Sequence, residues 1–175
     1  MRPSEYADRQ VEYNKFLRSI QIAIYGYYDP QNRVKLRKLK QFLIDQNFNA
    51  KMAEDYECST FPVSYQEDAL KSSAMLYDSS EIHIYVVTLP IEVERSKLLD
   101  SLSMEYGWAW KDKQEFVGVY FEKNYDVSTL PAGAIHDMSE NWNTWNFSCI
   151  EEIFPNVLRY CEHVINQKFR LFINL

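Results

Sequence analysis

The sequence has 175 residues, a length typical of one domain, and its 46% hydrophobic and 25% charged residues are ordinary for a globular protein. The formal net charge of -6 argues against extended contact with nucleic acid or with an anionic membrane surface. The three cysteines are an odd number without C-x-x-C spacing, which predicts reduced, mostly buried thiols instead of a disulfide framework or a zinc ribbon.

The first part of the chain alternates helical and strand patterns. Residues 4–18 place aromatic and leucine side chains on one side at helical spacing, which predicts an N-terminal helix. The apolar run IQIAIY, residues 20–25, predicts a buried strand that ends at Gly26. Residues 32–46 predict a helix with one leucine face, and AKMAE, residues 50–54, predicts a short second strand.

The same alternation continues after these elements. Residues 65–78 have a helical pattern, and EIHIYVVTL, residues 81–89, is the clearest strand pattern in the chain. Residues 92–111 predict a further helix, and EFVGVYF, residues 115–121, predicts a further strand. Each strand is therefore followed by a helix or preceded by one.

The last third of the chain is less regular. Residues 124–147 have no sustained period and contain Pro131 and Gly133, so they predict a long loop or an irregular insertion. Residues 150–168 predict a helix, and RLFINL, residues 170–175, can add a last strand.

Strands that alternate with helices of this length predict right-handed crossovers and a mainly parallel sheet. We therefore expect a single three-layer domain over residues 1–175, a flavodoxin-like (Rossmann-like) α/β fold with a core at residues 20–122. The expected sheet has four to five strands, with helices on both faces. In such folds ligands bind at the carboxyl ends of the strands, commonly between the first and the third strand.

The turn YGYYDP, residues 25–30, leaves the first predicted strand at that edge. Gly26 would let the backbone approach a ligand, and Tyr25 and Tyr27 could stack on a base or hydrogen-bond to a sugar. The helix that follows offers free N–H groups at its start, and Arg33 is placed there for a phosphate contact.

Three stretches together resemble one known family: IAIYGYYDP, then SSEIHIYVVT, then S-x-x-x-E-Y-G-W-A at residues 101–109. They look like the nucleoside 2-deoxyribosyltransferase superfamily, which shares its general plan with Toll/interleukin-receptor-like domains. In that family a glutamate of an E-x-G-x-A helix attacks the anomeric carbon of a nucleoside or nucleotide. The resemblance implies that Glu105 is the nucleophile and that Asp100 or Ser101 is the upstream polar ligand. It covers about residues 20–122, and Leu102 stands where the family has glycine.

Two functional hypotheses follow. The first is an enzyme that hydrolyses a nucleoside or nucleotide N-glycosidic bond, or transfers the deoxyribosyl group, with Glu105 as nucleophile and the turn that includes Asp29 holding the ligand. A carboxylate suits this chemistry because it can trap or stabilise an oxocarbenium-like transition state. The second is a non-catalytic nucleotide-sensing or protein-interaction module that can pair as a homodimer. A separate structural alternative for Glu105 is a solvent-facing helix residue, with Trp108 or Ala109 turned inward.

Other candidates favour structural interpretations. The basic stretch RVKLRKLK, residues 33–40, is typical of a solvated helix face. His83 lies among apolar strand residues and is expected in the core. Trp142 and Trp145 are three apart, so a helical turn would place them on one face, packed against the domain, covering the crevice as a lid, or forming a dimer interface.

The histidines lack metal-ligand spacing, so neither a metal nor a cofactor is expected. No apolar run approaches the roughly 20 residues that a membrane span needs, and MRPSEYADRQ lacks a secretory-signal pattern. We therefore expect a cytoplasmic protein that binds a small nucleoside or nucleotide.

Overall fold

The centre of the molecule is a five-stranded sheet in the order β2-β1-β3-β4-β5, with every neighbouring pair parallel. The computed structural model describes residues 3–27, 30–56, 65–88, 102, 105–109, 111–123 and 143–173. The strands are β1 (Gln21–Gly26), β2 (Asn49–Lys51), β3 (Ile82–Val87), β4 (Val117–Glu122) and β5 (Asn143–Phe147). This strand order and direction confirm the expected three-layer, flavodoxin-like α/β fold.

Helices flank the sheet. They are α1 (Pro3–Ser19), α2 (Pro30–Asp45), α3 (Tyr65–Asp78), α4 (residues 105–109) and α5 (Phe154–Ile173), with 3-10 turns at Ala53–Tyr56 and Ile150–Ile153. Leu102 and Lys111, on either side of α4, are helical too. Within the described ranges, no helix combines the length and apolar character needed to cross a membrane.

The sheet separates two apolar clusters because successive side chains of a strand point to opposite faces. On one face, Ile22, Ile24, Ile82, Ile84 and Val86 pack with leucines of α2 and with α1 and α5. The opposite face carries a second cluster from the sheet, α3 and the region of α4; it includes Tyr25, Tyr77, Tyr85, Leu102, Tyr106, Ala109 and Val119. Because Tyr106 and Ala109 of α4 belong to this second cluster, Glu105 of the same helix lies on that face of the sheet.

The connection from β1 leads to β2 on one side, and the chain then returns to β3 on the other side of β1. Gly26 of β1 pairs with Val86 of β3 close to the carboxyl ends of both strands. The β1–β3 junction is therefore the point at which the strand order reverses, where ligands of doubly wound sheets bind.

The prediction of a loop over residues 124–147 is wrong at its end, because residues 143–147 form β5. Among the side chains of residues 144–147, only Phe147 is buried, and Trp145 is 50% exposed. β5 pairs only with β4 at the edge of the sheet, so its segment NTWNF lacks the apolar character that marks a central strand. The expected helical turn that would align Trp145 with Trp142 is wrong for the same reason, and Trp142 lies outside the described residues.

The last strand expected at residues 170–175 is also wrong where the structure describes it, because α5 continues to Ile173. Aromatic contacts with α1 account for this extension. The ring centroids of Phe16 and Phe172 lie 5.3 Å apart, and Phe169 lies 5.1 Å from Tyr13. Tertiary packing thus selects a helix for a segment whose composition also suits a strand.

The second strand is displaced from the predicted residues 50–54 to Asn49–Lys51, and a 3-10 turn follows it. The Met52 backbone N–H donates to the Asp55 carboxylate at 2.8 Å, which stabilises the turn. The expectation of mostly buried thiols holds for Cys161, whereas Cys149 is exposed.

Gly26 is required by packing against α2. A Cβ at this position would lie 2.9 Å from both terminal methyl carbons of Leu36 and 3.0 Å from the carbonyl oxygen of Val86. Leu36 is itself buried in the core, so its side chain has little room to move away.

We expect Gly26→Ala to lower the free energy of unfolding by about 1–3 kcal/mol, the usual cost of overpacking. Urea denaturation at neutral pH measures this change. Gly107→Ala is the matched control, because a Cβ there would meet no atom within 4 Å from the described residues outside its own helical turn. In helix α4 that control should gain about 1 kcal/mol from the better helix propensity of alanine. A Gly26→Ala protein as stable as wild type would contradict the packing explanation.

Candidate functional site

Glu105, the first residue of α4, is buried, with 2% of its surface exposed. The Tyr85 hydroxyl, from β3, donates to the Glu105 carbonyl oxygen at 3.0 Å and fixes the start of this helical segment on the sheet. Tyr85 is the fourth residue of a six-residue strand, so the contact lies in the carboxyl half of the sheet. The alternative in which Glu105 faces solvent is wrong, although Ala109 is buried, as that alternative expected.

The Glu105 carboxylate interacts with α3. The Ser73 hydroxyl donates to Oε1 at 2.5 Å, and Ser73 is also buried. A distance this short is typical of a hydroxyl that donates to a charged oxygen. Among the described residues, no lysine, arginine or histidine forms an ion pair with Glu105.

Burial raises the pKa of Glu105 to about 7, because removal from water disfavours the charged form, while the hydrogen bond from Ser73 lowers it. A carboxyl group with a pKa near neutrality is substantially populated in both its ionised and its protonated forms at pH 7. Such a group can attack, stabilise a cation or transfer a proton, which is why carboxyls of this kind are candidates for functional sites.

Aromatic residues pack around Tyr85, whose hydroxyl bonds to the backbone carbonyl of Glu105. The ring of Tyr85 stacks on Tyr25 with a centroid distance of 4.6 Å and meets the edge of Tyr106 at 5.4 Å. Burial raises the pKa of the Tyr85 and Tyr106 hydroxyls above their usual range, so both are neutral at pH 7. The surroundings of Glu105 therefore have low polarity and carry no compensating positive charge among the described residues.

The other predicted site residues divide between the two faces. Tyr25 and Tyr27 are buried in the same apolar cluster as Tyr85. Tyr25 uses its hydroxyl in a hydrogen bond with His83 Nδ1 at 3.1 Å. Gly26 packs against α2, and Arg33 is half-buried in the first turn of that helix.

Asp29, Asp100 and Ser101 lie outside the described residues, so their predicted contacts with a ligand stay predictions. Tyr25, Tyr27 and Arg33 also stay predictions as ligand-binding residues. The structure brings Tyr25 to the face that holds Glu105, with Tyr85 between them, and places Arg33 on a helix of the opposite face.

Two polar residues at this site were not predicted. Ser73 lies three and four positions before the buried residues Leu76 and Tyr77, so helical spacing places it on the apolar side of α3. A serine on that side was the sequence signal from which a buried polar contact could have been predicted. Thr88 directly follows β3 and is buried, and its hydroxyl has no hydrogen-bond partner in the part of the chain that the structure describes. No sequence pattern distinguishes Thr88 from the rest of the strand end.

Four of the five basic residues of α2 pair with acidic side chains of other elements. The pairs are Lys35–Glu122, Arg37–Glu54, Lys38–Glu151 and Lys40–Asp55. Arg37 holds Glu54 with two hydrogen bonds, at 2.9 and 2.6 Å, and this contact lowers the pKa of Glu54. The positive charge of this helix is thus largely compensated by acidic side chains, which fits the structural role predicted for residues 33–40.

His83 is a core residue, as predicted. It is buried on β3 and contacts Tyr25 on one side and Tyr77 on the other, with ring centroids 5.9 and 4.9 Å away. Burial lowers the pKa of His83 to about 4, because the imidazolium form would lose its hydration. No group of three or more histidine, cysteine, aspartate or glutamate side chains in the described ranges is arranged to hold a metal ion.

His83→Phe should change the pH dependence of the free energy of unfolding. In wild type, His83 binds a proton near pH 6.5 in the unfolded chain but only near pH 4 in the folded chain. The unfolded state therefore binds more protons between these values, and the free energy of unfolding decreases as the pH falls from 6.5 to 4. The lost stability is on the order of 3 kcal/mol at pH 4. His83→Phe has no such pH-dependent loss, but it also has no hydrogen bond to Tyr25. The missing hydrogen bond should lower its free energy of unfolding by about 1–3 kcal/mol at pH 7.

Urea denaturation between pH 4 and pH 7 measures the difference between the two proteins. The exposed residue His163 offers a matched control, His163→Phe, whose curve should run parallel to that of wild type. A constant difference between His83→Phe and wild type across the window would show that His83 is not held neutral.

Comparison with protein-family models finds no family that matches this chain, and comparison with curated proteins finds none that matches it either. The resemblance to the nucleoside 2-deoxyribosyltransferase superfamily therefore rests on the residues quoted for it.

Proposed function

We propose that this protein cleaves the N-glycosidic bond of a nucleoside or nucleotide, by hydrolysis or by transfer, with Glu105 as the nucleophile. The observation that supports the proposal best is the Glu105 carboxyl group itself. It is buried on a doubly wound parallel sheet, it accepts one hydrogen bond from Ser73, and it has no cation beside it among the described residues.

The proposed reaction begins with attack of the ionised carboxylate on the anomeric carbon. The C–N bond breaks as the C–O bond to Glu105 forms, and the departing base takes the electron pair of the C–N bond and a proton from solvent. Water, or the nitrogen of a second base, then attacks the same carbon, loses a proton to solvent and releases Glu105 as a carboxylate. Water gives the free sugar, and a second base gives a new nucleoside.

The environment of Glu105 suits this chemistry. Positive charge develops on the sugar in the oxocarbenium-like transition state, and a carboxylate stabilises it more strongly in a medium of low polarity than in water. The tyrosines around Glu105 provide such a medium. A pKa of about 7 also means that ionisation, and with it the ability to attack, is attained at neutral pH.

The test is an assay for free base after incubation with nucleosides, nucleoside 5′-monophosphates and NAD, followed by chromatography. Wild type should release base from at least one of these classes, and Glu105→Ala should not. If the two proteins give the same background from every substrate, the proposed activity is refuted.

A non-catalytic nucleotide-sensing or protein-interaction module is the second candidate. It is favoured by the burial of Glu105, Tyr25 and Tyr27, which leaves little of their surface available to a sugar or base. A nucleotide at 100 times its Kd should then stabilise the protein by about 2.7 kcal/mol, and a thermal shift would detect it without any release of base. Light scattering would show whether the module is a homodimer.

A further inference from the structure

The contact between Ser73 and Glu105 joins two helices that are far apart in sequence. Ser73 lies in the second half of α3, and Glu105 begins α4, so the contact spans 32 positions of the chain. The hydroxyl reaches Oε1 at 2.5 Å, and no hydrogen bond to Oε2 occurs among the described residues. One carboxylate oxygen of Glu105 is thus held by α3.

The backbone of Glu105 is held separately. The Tyr85 hydroxyl donates to its carbonyl oxygen at 3.0 Å, and Tyr85 is itself fixed by stacking against Tyr25. The position of the main chain therefore depends on β3, while the orientation of the carboxylate depends on α3. Removal of the Ser73 hydroxyl should leave the helix in place and release only the carboxylate.

Ser73 also acts on the charge of this carboxylate. Among the titratable groups near Glu105, Tyr85 donates to its carbonyl oxygen, and Tyr77 and Tyr106 are neighbours of Tyr85. All three are neutral at pH 7, because burial raises the pKa of each phenol. In the described ranges, Ser73 is thus the one group that lowers the pKa of Glu105 against the effect of burial.

We propose that Ser73 is the positioning residue of this site: its hydroxyl holds Oε1 and so orients the Glu105 carboxylate for attack through Oε2. The consequence for the reaction rests on the proposed function. The orientation and ionisation of Glu105 do not, because they can be measured without a substrate.

The substrate-free experiment is carbon NMR of the full chain with ¹³C-labelled glutamate side chains, titrated from pH 4 to pH 9; the Glu105 signal is identified by its loss in Glu105→Gln. Ser73→Ala should raise the apparent pKa of Glu105 by about 1–2 units, the equivalent of a hydrogen bond to a charged group. Ser72→Ala is the matched control, because Ser72 is the adjacent residue and equally buried. It should titrate like wild type.

Ser73→Thr keeps the hydroxyl and should restore the titration of wild type, which separates loss of the hydrogen bond from loss of packing. On the best substrate, Ser73→Ala should lower kcat by about 10- to 100-fold with little change in KM, since orientation and ionisation act on the chemical step. The acid limb of its pH profile should move to higher pH by the amount that NMR shows.

The outcomes separate the two proposals. A Glu105 titration in Ser73→Ala that coincides with wild type overturns the role of Ser73, whatever the activity. A raised pKa in Ser73→Ala, together with no base release by wild type, supports the role of Ser73 and refutes the proposed activity. A raised pKa with unchanged kcat and an unchanged pH profile shows that Ser73 does not position the reacting group.

Discussion

Glu105→Gln should lower kcat/KM for base release by at least about 10²-fold, the smallest loss expected when a group that acts directly in the chemical step is removed. Glutamine has nearly the same size and can still accept the hydrogen bond from Ser73, so the fold should be retained. Its amide is neutral and a poor nucleophile, so it can neither form the glycosyl intermediate nor stabilise positive charge on the sugar. Steady-state rates on the best substrate measure the loss.

Activity of wild type should also rise with pH as Glu105 ionises, with half of the increase reached near pH 7. The matched control is Glu12→Gln, which makes the same substitution at an exposed position of α1 and should leave kcat/KM unchanged. A Glu105→Gln enzyme that retains more than about a tenth of the activity of wild type would contradict a nucleophilic role.

Addition of formate to Glu105→Ala distinguishes covalent attack by Glu105 from a purely electrostatic role of its carboxylate. The truncated side chain leaves a space into which a small carboxylate fits, and a diffusible carboxylate can then attack the anomeric carbon. Part of the lost rate should return as formate is added to the variant, and wild type should not respond. If formate has no effect while Glu105→Gln is inactive, an electrostatic role is favoured over covalent attack.

Glu105→Gln should at the same time stabilise the protein at neutral and alkaline pH relative to wild type. In wild type the folded chain holds the Glu105 proton up to about pH 7, whereas the unfolded chain releases it near pH 4.5. The folded state thus binds more protons in this window, and stability falls as the pH rises through it. Above pH 7 this effect has lowered the free energy of unfolding of wild type by an amount on the order of 3 kcal/mol, and Glu105→Gln is not subject to this decrease.

Urea denaturation from pH 4 to pH 9 measures the free energy of unfolding of both proteins. The difference, Glu105→Gln minus wild type, should increase with pH from about 4.5 to 7 and then stay constant. The effect of His83 has the opposite sign over an overlapping range, but it is present in both proteins and cancels in the difference. Glu12→Gln should give a curve parallel to that of wild type, and a flat difference for Glu105→Gln would mean that Glu105 is not held protonated in the folded state.

The strands that form the centre of the sheet were predictable because burial on both faces leaves a continuous apolar signal. IQIAIY, EIHIYVVTL and EFVGVYF became β1, β3 and β4 within one or two residues at each end. β5 was not predictable, since an edge strand can expose polar side chains such as Asn146. The extension of α5 was not predictable either, because the contact of Phe172 with Phe16 joins segments from opposite ends of the sequence.

The choice of Glu105 as a candidate came from the resemblance to a known family, whereas the pattern of the sequence by itself determined the doubly wound architecture and the edge at which a ligand would bind. These depend on local periodicity and on the order of elements, which one chain displays directly. Only the tertiary structure decided that Glu105 is buried, that Ser73 holds its carboxylate and that Tyr85 holds its backbone carbonyl. The environment of a carboxyl group is set by the packing of α3, α4 and β3 against one another, and distances between helices are not encoded in any local pattern.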